Sequence, residues 1–183
     1  MVVAEPTFKQ NGGKMKTRYI VLSSIVAALY VVLTVGLAPF SYGPIQFRVS
    51  EILKVFVLFN PFLVVGIGIG TFFANLLSPN VGPLELIWMP FTDMAGGLIA
   101  WAIYHYILRN RLAVVPMAIY AFTTGAAVGL MLVLLSGENF WMLTLPIIIS
   151  EAIILVPGSP IILLIIKMLN ARGIDMRMDS HIN

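Results

Sequence analysis

From Tyr19 to Phe47 the chain carries no charged residue, and further apolar runs follow as far as Leu169 with only short polar breaks between them. A helix that crosses a membrane needs about 20 predominantly apolar residues, so runs of this kind restrict the chain to membrane architectures. Composition agrees: 60% of residues are hydrophobic and 10% charged, with a mean hydropathy of +0.98. Soluble domains carry roughly 25% charged residues. An ordinary soluble enzyme, a disordered tail and a nucleic-acid reader are therefore excluded. With no cysteine, disulfide frameworks, Cys-ligated zinc and iron–sulfur clusters are excluded as well.

The breaks divide the chain into three regions. Residues 1–18 read as a flexible basic leader, broken by Pro6, Gly12 and Gly13. Met15 offers a second start, so residues 1–14 are expected to be an extension, which N-terminal sequencing of the native protein would check. The apolar run that follows is too long for a secretory h-region and is expected to stay as an uncleaved first span. Residues 19–169 hold six apolar segments: Tyr19 to Ala38, Val49 to Asn60, Pro61 to Leu77, Leu84 to Leu108, Leu112 to Leu135, and Trp141 to Leu169. Residues 170–183 form a polar tail. The fold expected is an all-α integral membrane bundle of six transmembrane helices.

The second segment is short for a span, and charge supplies the argument that it crosses. Lys and Arg concentrate on the cytoplasmic side of membrane proteins. Here they cluster in the leader, at Arg109 and Arg111, and at Lys167, Arg172 and Arg177. All three clusters share a side only if four spans precede Arg109 and two follow it, which puts both termini in the cytoplasm. Arg48 and Lys54 alone break the pattern and ask for a special explanation.

In that orientation the acids of the spans fall in the outer half or near the midplane. At the helical rise of about 1.5 Å per residue, Asp93 lies roughly 13 Å down the fourth segment and Glu151 roughly 15 Å down the sixth. An ionisable group in hydrocarbon costs several kcal/mol unless it faces the bundle interior, so the distribution points to a polar cavity open to the outside. Glu51 follows Ser50, a good N-cap, and stands three residues from both Arg48 and Lys54, so this trio could merely neutralise itself. Asp93 and Glu151 have no nearby cation in sequence and lie too deep to snorkel. Glu85 reads as interfacial, Asn75 as either a ligand donor or an interhelical hydrogen bond, and His105, between Tyr104 and Tyr106, as part of an aromatic belt. Phe47 and Trp88 each stand a few residues from an acid, an arrangement that suits a flat heterocycle. A carboxylate accepts two parallel N–H bonds, which matches the N1–H and amine edge of a guanine-like ring.

Small residues repeat at spacings of four. Ser23 with Ala27 and Ser24 with Ala28 would let another helix approach the first segment, whereas Gly66 with Gly70 and Gly125 with Gly129 read as packing within the bundle. No Walker A pattern is present, so ATP hydrolysis by that route is excluded, and neither HExxH nor a GxSxG elbow occurs.

The run Ala27-Ala28-Leu29-Tyr30-Val31-Val32-Leu33-Thr34, then Ala38-Pro39, then Gly43-Pro44-Ile45-Gln46-Phe47-Arg48-Val49-Ser50-Glu51 closely resembles the queuosine-precursor transporters, which are substrate-binding S components of energy-coupling factor (ECF) transporters. The likeness continues through Ala74-Asn75-Leu76-Leu77-Ser78-Pro79 and the region of Glu151, covering about Met15 to Leu169. It implies a six-helix S component that captures a 7-deazaguanine such as preQ1 or preQ0 outside the cell. It also implies assembly with a transmembrane T component and two cytoplasmic ABC ATPases. ATP would then bind those partners, and no cofactor would bind this chain. The first-helix contact to the T component maps onto Ser23, Ser24, Ala27 and Ala28.

Depth and chemistry, rather than the resemblance, suggest ligand contacts. Glu51 or Glu151 would accept from the guanine-like edge, and Arg48, Gln46 or Asn75 would donate to O6. Phe47 or Trp88 would stack, and Asp93 would pair with an aminomethyl cation. The loop from Phe40 to Arg48 would gate the site. Competing readings are an S component for another vitamin, and a stand-alone permease or enzyme using Asp93 and Glu151 as an acid–base pair.

Overall fold

Punctuation in the sequence sets the helix ends. In the computed structural model, which describes residues 12–42, 46–79 and 82–172, α1 spans Gly12–Gly36 and is followed by the short α2, Ala38–Ser41. A 3₁₀ helix, Val49–Leu58, leads through the Asn60-Pro61 turn into α3, Leu63–Leu76. Asn60 Oδ1 accepts the Phe62 N–H at 3.1 Å and closes that turn. Next comes α4, Pro83–Ala102, with Pro83 in the first turn and the Glu85 carboxylate reaching back to the Gly82 N–H at 3.2 Å. A π turn, Ile103–Ile107, extends it. Then α5, Val114–Ser136, stops at Gly137, whose φ of 72° suits a glycine cap, and α6, Phe140–Ala171, starts with Asn139 Oδ1 accepting the Trp141 N–H at 2.9 Å. Among the described residues there is no strand.

Four helices are long and apolar enough to cross a membrane: Thr17–Gly36, Pro83–Ile107, Val114–Ser136 and Phe140–Leu169. The remaining two of the six expected segments differ from a full-length helix. The third is α3, an apolar helix of 14 residues, or about 21 Å. The second is the 3₁₀ helix of 10 residues. Its tighter winding rises about 2.0 Å per residue, so it reaches about 20 Å, farther than an α-helix of the same length would.

That 3₁₀ helix lies within the bundle. Helices pack in the sequence α1, α3, α4, α5, α6, and the 3₁₀ helix packs against α1, α3, α4 and α6. Close approach relies on small residues. Gly66 lies against the Ser23 backbone, Gly70 against Tyr30 and Ala27, Gly125 against Ile148 and Gly129 against Thr144; a Cβ at any of these would collide with the facing helix. Gly158 similarly makes room for Ile52 of the 3₁₀ helix.

Although α6 contains Pro146, Pro157 and Pro160, it continues unbroken. Pro160 cannot donate to the carbonyl of Val156, four residues earlier. The Ser159 hydroxyl donates to that carbonyl instead, at 2.9 Å. Substitution of a side-chain donor for a missing backbone one is what lets proline persist in an apolar helix.

The bundle has two unlike ends. At one, Tyr19 stacks on Phe62, Phe59 meets Tyr104 edge-on, and Leu58, Ala113 and Ile166 share one apolar cluster. Arg18, Arg109, Arg111, Lys167 and Arg172 all belong to this end by their positions at the start of α1, between α4 and α5, and at the end of α6. At the other, the Tyr42 hydroxyl donates to the carbonyl of Ala74 and the Phe47 N–H to that of Phe40.

Candidate functional site

Winding decides what the 3₁₀ helix presents. With three residues per turn, side chains at i and i+3 eclipse, so Glu51 and Lys54 form one row, and Arg48, the extended residue before the helix, precedes them. In an α-helix the same residues would fan out across a wider arc. The row faces the bundle interior, and Arg48, Glu51 and Lys54 are 7%, 4% and 1% exposed.

Lys54 is the centre of the site. Its ammonium pairs with Glu51 on its own helix, with Asp93 Oδ1 of α4 at 2.7 Å and with Glu151 Oε2 of α6 at 3.7 Å. It also lies 5.0 Å from the centroid of the Tyr120 ring on α5, a cation–π distance. A hydroxyl from a further helix engages each acid. Tyr30 of α1 donates to Glu51 Oε1 at 2.6 Å, Thr71 of α3 donates to Asp93 Oδ2 at 2.6 Å, and Thr124 of α5 donates to Glu151 Oε2. All five long helices and the 3₁₀ helix thus meet in one polar network. Burial strengthens each of these bonds, and it would make any broken one costly.

Beside the network lies a cavity of about 20 Å³, bounded on its polar side by Gln46, Arg48, Glu51, Asp93 and Glu151 and on its apolar side by Met89, Val128 and Ile147. That volume admits a water or two. Its polar wall offers both donors and acceptors. Arg48 donates from Nε to the carbonyl of Ser41 at 3.5 Å and also bonds the Tyr30 hydroxyl, and with five N–H donors on its guanidinium it lines the cavity with donors in excess of those two partners. Glu151 takes Thr124 and Lys54 on Oε2. Gln46 adds an amide, and its φ of 50° places a non-glycine residue in the left-handed region. Conformations of that kind cost about 1–3 kcal/mol and concentrate at functional sites.

Of the residues expected in the site, Gln46, Arg48, Glu51, Asp93 and Glu151 come together around this cavity. Three others do not reach it. Asn75 is buried behind the wall, with Nδ2 donating to Met89 Sδ at 3.2 Å. Trp88 points between helices, with Nε1 donating to the carbonyl of Ala127 at 2.9 Å, and packs with Met89, Val128 and Ile147. Phe47 is half-buried and off the cavity wall. The expected gate is split: Gly43, Pro44 and Ile45 lie outside the described residues.

Lys54 is the main residue that sequence reasoning left out of the site, although its position against the charge pattern had marked it. Asp93 and Glu151 lack a cation nearby in sequence, and tertiary packing brings Lys54 to both. Tyr30, Thr71 and Thr124 gave no such signal, because lone hydroxyls are common in apolar helices. On α1 the small residues divide. Ser23 donates to the carbonyl of Phe62 at 3.2 Å and Ala27 is buried under Gly70, so both serve the α1–α3 contact. Ser24 and Ala28 are exposed on the opposite side.

Four membrane-length helices, three of which line a buried, charged cavity, define a helical membrane protein. The family model of the QueT transporter matches residues 20–167, and the chain belongs to that family. A curated relative, the queuosine precursor transporter QueT of Lactococcus lactis subsp. cremoris (strain MG1363), is 52% identical over 67 residues, 36% of this chain. The matched stretch spans 40% of that relative's length. No solved structure matches the chain. A family of transporters also removes the enzyme alternative, and the structure gives Asp93 and Glu151 to Lys54 rather than to each other as an acid–base pair.

Proposed function

We propose that this chain is the substrate-capture S subunit of an ECF-type ABC importer in the bacterial plasma membrane, and that it binds a 7-deazaguanine queuosine precursor, preQ1 or preQ0, from outside. The observation that carries the reading is the cavity wall, which brings the donors of Arg48 and Gln46 together with the Glu151 carboxylate, whose Oε2 takes Thr124 and Lys54. A guanine-like edge offers O6 to the donors and N–H groups to the acid. Membership in the QueT transporter family and the likeness to the queuosine precursor transporter of Lactococcus lactis support the substrate class.

In this reading all six segments cross and both termini are cytoplasmic. Support comes from the shared end of Arg18, Arg109, Arg111, Lys167 and Arg172, which the positive-inside tendency assigns to the cytoplasm. The 3₁₀ helix and α3 are short because the other helices enclose the former and the pair meets at the Asn60-Pro61 turn. Residues 1–18, the last seven of which begin α1, and residues 170–183, the first two of which end α6, lie on the cytoplasmic side in this reading.

Glu151 is the first acceptor for the ring edge, with Glu51 supporting it through the Lys54 ammonium. Met89, Val128 and Ile147 supply the apolar face, a thioether being a good neighbour for an aromatic ring. Phe47 and Trp88 stack on the ligand, and Asn75 reaches O6, only after Met89 has moved. Asp93 pairs with the aminomethyl cation of preQ1, which favours that ligand over the neutral nitrile. Energy comes from a T component and two ABC ATPases, with Ser24 and Ala28 on the exposed side of α1 as the contact available to the T component. This chain needs no cofactor for capture, since ATP binds the partners.

Calorimetry of the purified protein in detergent with preQ1 and preQ0 tests the substrate class. Saturable binding of either is expected; no binding of both would turn the reading toward another vitamin. Affinity purification of the chain from its own host tests the assembly. Recovery of a T component and two ATPases is expected, and recovery of the chain alone in an active state would establish a solitary permease.

A further inference from the structure

The acids of the site already hold a primary ammonium, that of Lys54. Carboxylates from three elements surround it and the Tyr120 ring covers it, which is a complete recognition set for such a group. Both oxygens of Asp93 are engaged, Oδ1 by Lys54 and Oδ2 by Thr71, and the Lys54 ammonium occupies the place at Oδ1 that lies among the three acids. A ligand ammonium takes that place among the acids only if Lys54 withdraws from it.

We propose that Lys54 is a specificity-determining residue that acts as a resident competitor. Its ammonium fills the cage that a ligand's primary ammonium would use, and a cationic ligand binds by displacing it from Asp93 and Glu151. Glu51, one turn away on the same row, retains it. The inference rests on the reading of this cavity as a 7-deazaguanine site.

Three observations favour displacement over a fixed structural role. The cavity, at about 20 Å³, must enlarge for any ligand bigger than water, and it borders the same carboxylates. Glu151, 8% exposed, lines that cavity, takes Thr124 and Lys54 on Oε2 and is the acid Lys54 holds at the longest distance, so an incoming ammonium has a first foothold there. Finally, Arg48 and Lys54 face three carboxylates, which leaves a formal excess of one negative charge. A cationic ligand cancels it and a neutral one does not. Lysine suits the role because its charge is a point on a flexible four-carbon stem, free of the fixed fork of arginine.

Nitrogen-15 NMR of the lysine ammonium groups in the wild-type protein is the first test, feasible because Lys9, Lys14, Lys16, Lys54 and Lys167 are the only lysines of the chain. The Lys54 signal should shift on saturation with aminomethyl-7-deazaguanine and stay in place with the neutral cyano compound. A signal unmoved by the saturating cation overturns the proposal. Second, the charge-compensated double variant Lys54→Met/Glu51→Gln removes the competitor together with one acid. The ratio of its affinities for the aminomethyl and the cyano compound should rise about tenfold over wild type, the scale of one charge-assisted contact. Equal weakening of both ligands would make Lys54 merely structural and overturn the proposal. If wild-type protein binds neither compound, the functional reading fails by itself, and the cage is then judged with Lys54→Ala and ethylammonium. A rise in thermal stability with ethylammonium and none with tetramethylammonium supports a primary-ammonium cage; no rise with either overturns it.

Discussion

Lys54 Nζ lies 2.7 Å from Asp93 Oδ1, joining the 3₁₀ helix to α4 where neither residue is more than 6% exposed. Taking such charges out of water costs several kcal/mol per ion, and attraction alone seldom recovers it. The remaining acids, the hydroxyls of Thr71 and Tyr30 and the Tyr120 ring supply the rest. The site is therefore stable as a unit and sensitive to the loss of any one member.

Removal of Lys54 alone should show that sensitivity. Lys54→Met leaves Glu51, Asp93 and Glu151 buried with only Arg48 as counter-charge, and breaking a buried pair costs about 3–5 kcal/mol. The thermal midpoint in detergent should fall sharply and recover in part when Glu51→Gln is added. An unchanged midpoint in Lys54→Met would mean that the network does not stabilise the fold.

Glu151 and Glu51 should differ in ligand binding. Glu151 lines the cavity with Thr124 and Lys54 both on Oε2, whereas both oxygens of Glu51 are engaged, by Tyr30 and by Lys54. Losing a charge-assisted bond of about 1.5–3 kcal/mol, Glu151→Gln should weaken binding about tenfold to a hundredfold. Glu51→Gln should cost less. Isothermal titration of the two variants side by side decides it, and the reverse order would relocate the acceptor.

The two small-residue pairs of α1 should separate folding from coupling. The Ser23 backbone lies against Gly66 and its hydroxyl donates to the Phe62 carbonyl, so Ser23→Trp should disturb the α1–α3 contact, destabilise the protein and weaken binding. Ser24→Trp projects from the exposed side and should leave thermal stability and ligand affinity unchanged while transport in whole cells stops. Intact transport in Ser24→Trp would remove that side of α1 from the partner contact.

Gln46 should trade stability for function. Its left-handed backbone, φ 50°, favours glycine, so Gln46→Gly should leave stability unchanged or raise it by about 1 kcal/mol. Binding should weaken, because the amide on the cavity wall is gone. A variant that is more stable and binds equally well would show that the strain has no part in recognition.

Much of this organisation was legible in the residues. The apolar runs located the five longer helices and the 3₁₀ helix, with the Asn60-Pro61 turn and the Ser78 to Pro83 stretch as limits. By contrast, α1 begins at Gly12 inside the expected leader, and α2 forms across Pro39, where the sequence predicts a break. The rule that lipid rejects unpaired charge was enough to single out Arg48, Glu51, Asp93 and Glu151, all of which line one cavity. Less legible were the residues behind the wall. Trp88 and Asn75 stand near the acids in sequence, yet their rotation about α4 and α3 commits them to Ala127 and Met89.

By itself the sequence determined the class of protein, the positions of its longer helices and a short set of charges that needed a protected place, because hydrophobicity and charge cost are local properties that add along a chain. Tertiary structure decided which charges meet. The 3₁₀ winding of Val49–Leu58 aligns Glu51 and Lys54 in one row, and the packing of α4, α5 and α6 around it brings Asp93, Tyr120 and Glu151 to the same ammonium. Pairing of this kind depends on helix rotation and on how closely glycine-lined surfaces approach. Periodicity leaves both open, and they settle only when all the helices pack together.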